Sequence, residues 1–342
     1  ESHGWCARTS PSRSASKIER DSSIGARALQ IFSDNPTAWR RRPEPPDDAG
    51  AFIGYAAREG IETISIHASY LINLAGSAEP FATQSREGLI VEMQRAPAYG
   101  ATLVNTHIGS HRGVGADVGL RRIVESVRAI LAASPPSVRL VLENSSGGGD
   151  LLGSSVEELA SILEGVGVDG ADRLAFCLDT AHLVLNEESP VDAVLLAREH
   201  IAEFHFCNCC IEREHPLFGD RHLPFGAPGV VDQRQIGLWM LELRRHDFFN
   251  SANRPRVFCE VWKPDDLARP ILVAQQLPDR HEIPGRLRHL VATDLEELAV
   301  DPESRRRATD DRRRAADPTP HNTRWQYHPA ITSRCPQRPR TP

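Results

Sequence analysis

The fold class predicted here is a closed parallel (β/α)8 barrel, and three observations predict it. Short apolar runs alternate along the chain with segments whose apolar residues recur at helical spacing, which is strand and helix in regular succession. The runs are almost continuously apolar, as a parallel sheet covered on both faces requires. The length of 342 residues fits either two modest domains or one barrel of about 250 residues with extensions, and the unbroken alternation favours the barrel.

The predicted strands are ALQIFS (28–33), TISIH (63–67), TLVNTH (102–107), RLVLEN (139–144), LAFCLDT (174–180), IAEFHF (201–206) and RVFCEV (256–261). Between the third and fourth, Leu120, Ile123, Val124, Val127, Ile130 and Leu131 share one helical face. Between the fourth and fifth, Leu159, Ile162, Leu163 and Val166 do the same, after a capping signal at Ser154 and Ser155 with Glu157 and Glu158. A closed barrel needs an eighth strand, expected before residue 20. There ESHGWCARTSPSRSAS has little strand character beyond residues 2–7, so the first strand reads as degenerate or missing. The expected organisation is an atypical N-terminal segment (1–16), the barrel (17–300) and an Arg/Pro-rich tail (301–342) without apolar periodicity, expected to be disordered.

A composition of 40% hydrophobic and 25% charged residues excludes fibrous and wholly disordered classes. The net charge is −6, and the tail holds ten Arg against five acidic residues, so residues 1–300 carry −11. Nucleic-acid binding must then rest on a local patch and not on the field of the whole molecule. Lys17 and Lys263 are the only lysines, so the Arg runs of the tail read as biased coding before they read as a basic arm. No apolar stretch reaches the length of a membrane span, and the opening residues lack a positive flank followed by an apolar run, so neither a span nor a secretory signal is expected. The seven cysteines are odd in number and lack paired CxxC spacing, which reads as reduced thiols in a cytoplasmic protein. Cys207, Cys209 and Cys210 read as small residues ending a buried strand, because no second cysteine cluster completes a four-ligand site.

Active sites of parallel barrels lie at the C-terminal ends of the strands. Those ends carry His67, His107, Glu143, Asp179 with His182, His205 and Glu260, and the loop FGDRH adds Asp220 and His222. Singly each is weak; six strands delivering metal-binding side chains to one rim is what a ligand cage looks like in sequence. Five imidazoles and four carboxylates exceed the needs of one ion. The set suits two or three zinc ions, with Mn2+ the alternative and Mg2+ disfavoured by the nitrogen donors. Such a site suits hydrolytic P–O cleavage.

The stretches ALQIFSDNPTAWR (28–40), IHASYLINLAG (66–76), NTHIGSH (105–111), LENSSGGGDLLG (142–153), CLDTAH (177–182), GDRH (219–222) and CEVWKPD (259–265) resemble the endonuclease IV family. These are zinc-dependent apurinic/apyrimidinic endonucleases of base-excision repair, built on xylose-isomerase-like TIM barrels. SYLINL is the most specific of these motifs, since a generic metal site gives no reason for it. The resemblance implies binding to double-stranded DNA with abasic sites, three Zn2+ ions, and cleavage 5′ to the lesion that leaves a 3′-hydroxyl; nothing in the sequence points to an oligomer, so a monomer is expected. It implies that Glu143 bridges two metals and orients the attacking hydroxide. Asp179, His205 and Glu260 would serve one ion, His67 and His107 a second, and His182, Asp220 and His222 the third. Tyr70 and Leu71 match the loop that enters the minor groove where the base is absent; read alone, without the family match, they fit a barrel core better. Trp39 with Arg40, Arg41 and Arg42 is either a DNA contact or a solvated helix start. His111 is either a support behind the ligands or a cap for the helix near Asp117. Glycines 147–149 form a turn.

Four stretches depart from the family pattern. Gly4, Trp5, Cys6, Ala7 and Arg8 stand where its first strand carries Gly-Ala-His-Val-Ser, and Thr37 where it often has a DNA-inserting Arg. AHLVLNEESP follows the sixth strand, and HFCNCC replaces a His-Leu-Asn-Asp run. HLPFGAPGVVD resembles a loop shared with sugar isomerases and epimerases, which need Glu143, Asp179, His205 and Glu260 around a single ion but have no use for His67, His107 or SYLINL. A DNA-binding or degenerate member without activity is the third reading.

Overall fold

The computed structural model describes residues 28–42, 44, 45, 47, 49–223, 239 and 242, and the backbone of 256–261 and 271–275. These residues contain ten strands: β1 (Ala28–Ile31), β2 (Thr63–His67), β3 (Ala101–His107), β4 (Arg139–Glu143), β5 (Leu174–Asp179), β6 (Ile201–Phe206), β7 (Asn208–Cys210), β8 (Gly219–Leu223), β9 (Arg256–Val261) and β10 (Ile271–Gln275). Eight close into a barrel in the order β1-β10-β9-β6-β5-β4-β3-β2, while β7 and β8 pair separately. All lie in the first of two units, Glu1–Pro284 and Gly285–Pro342.

The seven predicted runs are the seven strands that run parallel to one another, from β1 through β6 to β9. The expectation of an eighth strand before residue 20 is corrected: that place in the barrel is taken by β10, antiparallel to both β9 and β1. The physical reason is the connection. Val261 pairs with Ile271, and the few residues between them are too short for the dozen or more that a parallel crossover needs, so the chain turns back. Residues 1–27 and the tail lie outside the described residues.

Helices α1 (Ala49–Arg58), α2 (Phe81–Arg95), α3 (Ala116–Ala132), α4 (Val156–Val166), α5 (Val168–Ala171), α6 (Thr180–Leu185) and α7 (Pro190–Ala197) follow the strands. The periodicity read from sequence is the buried face: Ile123, Val127, Ile130 and Leu131 of α3, and Leu159, Ile162, Leu163 and Val166 of α4, are all buried. The predicted cap is present. Ser155 accepts the Glu158 N–H at 3.2 Å, and Glu158 accepts the Gly153 and Ser154 N–H groups at 2.7 and 3.0 Å.

Alternation along the strands builds two cores. Outward residues such as Ile66, Val104, Leu142, Leu178 and Phe204 join the helices in the main hydrophobic cluster; each such side chain contributes about 1.5–3 kcal/mol by burial. Inside the barrel, Leu103, Val141, Ala175, Cys177 and Ala202 form a smaller cluster. One or two residues further along the same strands the interior turns polar, with Asn105, Glu143, Asp179 and Glu203 all shielded from solvent.

Candidate metal centre

Strand register sets the rim. His107 pairs with Glu143 and Asp179 with His205, so ligand-type side chains emerge as neighbours without any loop having to position them. Three groups result, in each of which the donor atoms lie within 4.8 Å of one another: His67, His107 and Glu143; Glu143, Asp179 and His182; and His182, Asp220 and His222. Glu143 and His182 each belong to two, which makes the three groups one continuous cluster.

In the first group His67 Nε2 lies 3.5 Å from Glu143 Oε2, and its Nδ1 lies 2.7 Å from the Ala68 carbonyl. In the second, His182 Nδ1 is 3.9 Å from Glu143 Oε1, and beside it His205 Nδ1 is 3.0 Å from Glu143 Oε1 and 3.9 Å from Asp179 Oδ2. In the third, Asp220 places one oxygen 3.0 Å from His182 Nε2 and the other 2.8 Å from His222 Nε2. The β7–β8 pair presents Asp220 and His222, and the backbone at His222 is left-handed (φ 45°), a conformation the surrounding contacts must enforce. Glu260 belongs to β9, two residues beyond Phe258, the strand partner of His205; its side chain lies outside the described residues.

Charge compensation outweighs burial in the titration shifts of Glu143, His182 and His205. Burial alone would raise the Glu143 carboxyl, but His205 and His107 more than reverse it and hold it well below the ordinary value. Burial would lower His182 and His205, yet Asp179 and Asp220 hold the former at about 9, and Glu143 and Asp179 the latter. For His107, burial prevails over Glu143 and lowers it to about 4. The carboxylates therefore demand positive charge at this rim, and protons or metal ions can meet the demand. The donor set fits metal. His67 and His182 each turn Nδ1 to a backbone carbonyl, of Ala68 and Asn144, both at 2.7 Å, which leaves Nε2 for the cluster in the arrangement usual for metal-binding histidines.

Several supporting residues escape a reading of the sequence. Asn105 donates to Glu143 Oε2 at 2.6 Å. Asn144 accepts the Asp179 N–H at 2.7 Å and donates to the Asp179 carbonyl at 3.3 Å, tying the ends of β4 and β5 together. Gln30 Nε2 stands 3.3 Å from His205 Nε2 and donates to Glu203 at 3.2 Å. The two asparagines follow or precede ligands in NTH and LEN, a local signal that could have found them.

Tyr70 is 53% exposed, its ring 5.2 Å from His67, 5.5 Å from Phe32 and 6.1 Å from His107. It stands over the first ligand group and is not core; Leu71 beside it is half-buried. Asn73 pins this loop, its Oδ1 accepting from Ala75, Gly76 and Ser110 N–H groups at 3.0–3.2 Å. Trp39 is half-buried against Phe81, 5.9 Å between rings. Of the three arginines after it, Arg40 is exposed, whereas Arg41 turns in to Glu92 at 3.2 Å and Arg42 to Asp34 at 3.6 Å. His111 accepts from Gly113 and Gly115 N–H groups at 3.2 Å, bracing the turn before α3. Gly147, Gly148 and Gly149 are all left-handed, as a turn requires.

Fold and site together define a barrel with a buried His/carboxylate metal-type centre at its C-terminal rim. A family model described as xylose isomerase-like TIM barrel matches residues 18–276. A protein from Methanoculleus marisnigri named "Probable endonuclease 4" is 34% identical over 231 residues, 64% of this chain and 81% of that one. Another of that name from Halorhodospira halophila is 37% identical over 166 residues, 48% of this chain and 55% of that one. The chain thus spans little more than half the length of several such relatives. The crystal structure of endonuclease IV from Thermus thermophilus superposes with a TM-score of 0.55 at 26% identity, covering 73% of this chain and 88% of that one. Solved sugar 3-epimerases at 14–17% identity and TM-scores of 0.50–0.57 share the fold. The chain belongs to the endonuclease IV family within the xylose isomerase-like TIM barrels.

Proposed function

We propose that the chain is a zinc-dependent endonuclease that hydrolyses the phosphodiester 5′ to abasic sites in double-stranded DNA, acting in base-excision repair as a cytoplasmic monomer. The observation that carries this reading is the continuity of three ligand groups through Glu143 and His182, with exposed Tyr70 beside the first. A single-metal isomerase has no use for the His67–His107 pair or for the Asp220–His222 arm.

When bound there, zinc supplies a lowered pKa for water and charge stabilisation at the phosphodiester oxygens. The chain's own residues do the rest. Glu143, kept ionised by His205 and His107, accepts a hydrogen bond from the attacking water and aligns it; Asn105 and His205 fix the carboxylate. His67, His107, His182, His205, Asp179, Asp220, His222 and Glu260 hold the ions, with Asn144 locking Asp179 and His182 in register. Tyr70 and Leu71 wedge into the duplex where the missing base leaves least stacking to break, and Trp39 and Arg40 contact the backbone nearby. The barrel domain is taken as 17–300, with residues 1–16 and 301–342 as flanking segments.

The test is incision of a duplex bearing one abasic-site analogue beside an intact control, with zinc-loaded protein before and after chelation, and with Glu143→Gln. Expected is chelator-sensitive cutting 5′ to the lesion only, reduced by about 10²–10⁴-fold in the variant. A folded protein that binds about one metal per chain and cuts neither duplex would transfer the reading to a sugar isomerase.

A further inference from the structure

Two further groups at the rim contain sulfur: Asp179, Cys207 and His222, and Glu143, Cys177 and His205, each with donor atoms within 4.8 Å of one another. Cys207 follows β6 in HFCNCC, where the chain departs from the family pattern. In sequence it reads as a small residue filling the end of a buried strand; it is buried with Ala181, Val184 and Cys209, but its sulfur has polar partners as well. Cys209, two residues on, behaves as such a filler, with its sulfur 3.7 Å from the Ala181 carbonyl. The Cys207 sulfur instead ends 3.3 Å from Asp179 Oδ2 and also bonds the His222 ring, and His222 Nε2 lies 3.8 Å from that same Asp179 oxygen. Its backbone is clamped: the Thr180 hydroxyl donates to the Cys207 carbonyl and accepts its N–H, both at 3.1 Å. Cys207 is 1% exposed and Asp179 is fully buried.

We propose that Cys207 is a metal ligand of this chain, its thiolate joining Asp179 and His222, which the family pattern would give to two neighbouring ions, on one soft or borderline divalent ion such as zinc. Zinc bonds of about 2.3 Å to sulfur and about 2.0–2.2 Å to nitrogen and oxygen put tetrahedral ligand atoms about 3.4–3.6 Å apart. The two edges seen, 3.3 and 3.8 Å, bracket that span, so only small shifts are needed to close the site. As the metal–sulfur bond forms, the thiol proton passes to solvent. A thiolate in the set favours zinc over manganese, which narrows the choice left open by imidazoles and carboxylates alone.

The proposal rests on reading this rim as a metal centre, and the test separates the two. The chelated full-length protein is titrated with Co2+ while the visible d–d bands and the near-ultraviolet sulfur-to-cobalt charge-transfer band are followed, for the parent chain, Cys207→Ser and Cys177→Ser. Expected is a charge-transfer band in the parent and in Cys177→Ser, and its loss in Cys207→Ser with the d–d bands retained. Cobalt d–d bands without charge transfer in the parent would overturn the sulfur ligand and leave the metal centre standing, as would a band that survives in Cys207→Ser. No cobalt binding at all would overturn both. Should Cys207→Ser fail to fold, X-ray absorption of the zinc-loaded parent decides: a sulfur shell at about 2.3 Å supports the proposal, and nitrogen and oxygen alone refute it.

Discussion

Asn105→Asp converts the best hydrogen bond at the rim into its opposite while keeping the shape. The amide Nδ2 lies 2.6 Å from Glu143 Oε2, with both residues fully buried. In the variant two carboxylate oxygens would stand at that separation. At an effective dielectric constant of about 20, two negative charges there repel by about 6 kcal/mol. Holding a proton at pH 7 on a carboxyl of ordinary pKa near 4 costs about 4 kcal/mol at 1.36 kcal/mol per unit. Repulsion wins, so the pair keeps one proton at neutral pH. Metal entering the group of His67, His107 and Glu143 must then expel that proton. Zinc titration against a chromophoric chelator at pH 6, 7 and 8 should show the affinity of the variant rising about tenfold more per pH unit than that of the parent, and Asn105→Ala should follow the parent slope. Equal slopes in Asn105→Asp and the parent would refute the idea that two carboxylates at this separation share one proton at neutral pH.

The chelated protein should carry a pH signature of its own. His182 and His205 are raised from 6.5 to about 9, so their contribution to stability is complete below pH 6.5 and is lost as pH rises through 9. His107 is lowered to about 4, so its contribution is present above pH 6.5 and fails as pH falls through 4. Urea midpoints measured from pH 4 to 9.5 on chelated protein should trace both limbs, and a flat profile would contradict the charge balance described. Tyr70→Ala removes a 53% exposed ring; stability should change by less than about 0.5 kcal/mol, while affinity for the abasic duplex falls by about 1–3 kcal/mol, as gel shift under non-cutting conditions would show. Gly109→Ala should cost at least about 1 kcal/mol in thermal unfolding, because its φ of 100° suits glycine and a Cβ would collide with Asn73. An unaltered melting temperature would mean the 66–76 loop is not pinned there.

What can be read without coordinates depends on range. Strand ends are legible because a parallel barrel sends every C-terminal strand end to one rim, so TISIH, LVNTH and RLVLE announce His67, His107 and Glu143 by position alone. The interlocking of Asn105 with Glu143, or of Asn144 with Asp179, depends on register between strands, and single runs do not encode it. Arg40, Arg41 and Arg42 look alike in sequence; only packing shows that Glu92 and Asp34 draw in the second and third. The closing strand escapes notice because ILVAQ is a five-residue run that only nine residues separate from β9, and a pattern search tuned to strand–helix repeats passes over it.

That closing strand fixes an order of events. Ala28 pairs with Ala274, so the seam that shuts the barrel joins the first described strand to the last, and its entropic cost exceeds that of any neighbouring pair. From β1 to β6 each strand meets its predecessor across a short stretch of chain, and every expected ligand except Glu260 lies on these strands, just after them, or on the β7–β8 arm. Those residues can reach each other while the barrel is still an open sheet, whereas Glu260 waits for β9 to dock. A metal ion captured early would find a partial nest, and Glu260, in the role that the family resemblance implies, would join it last.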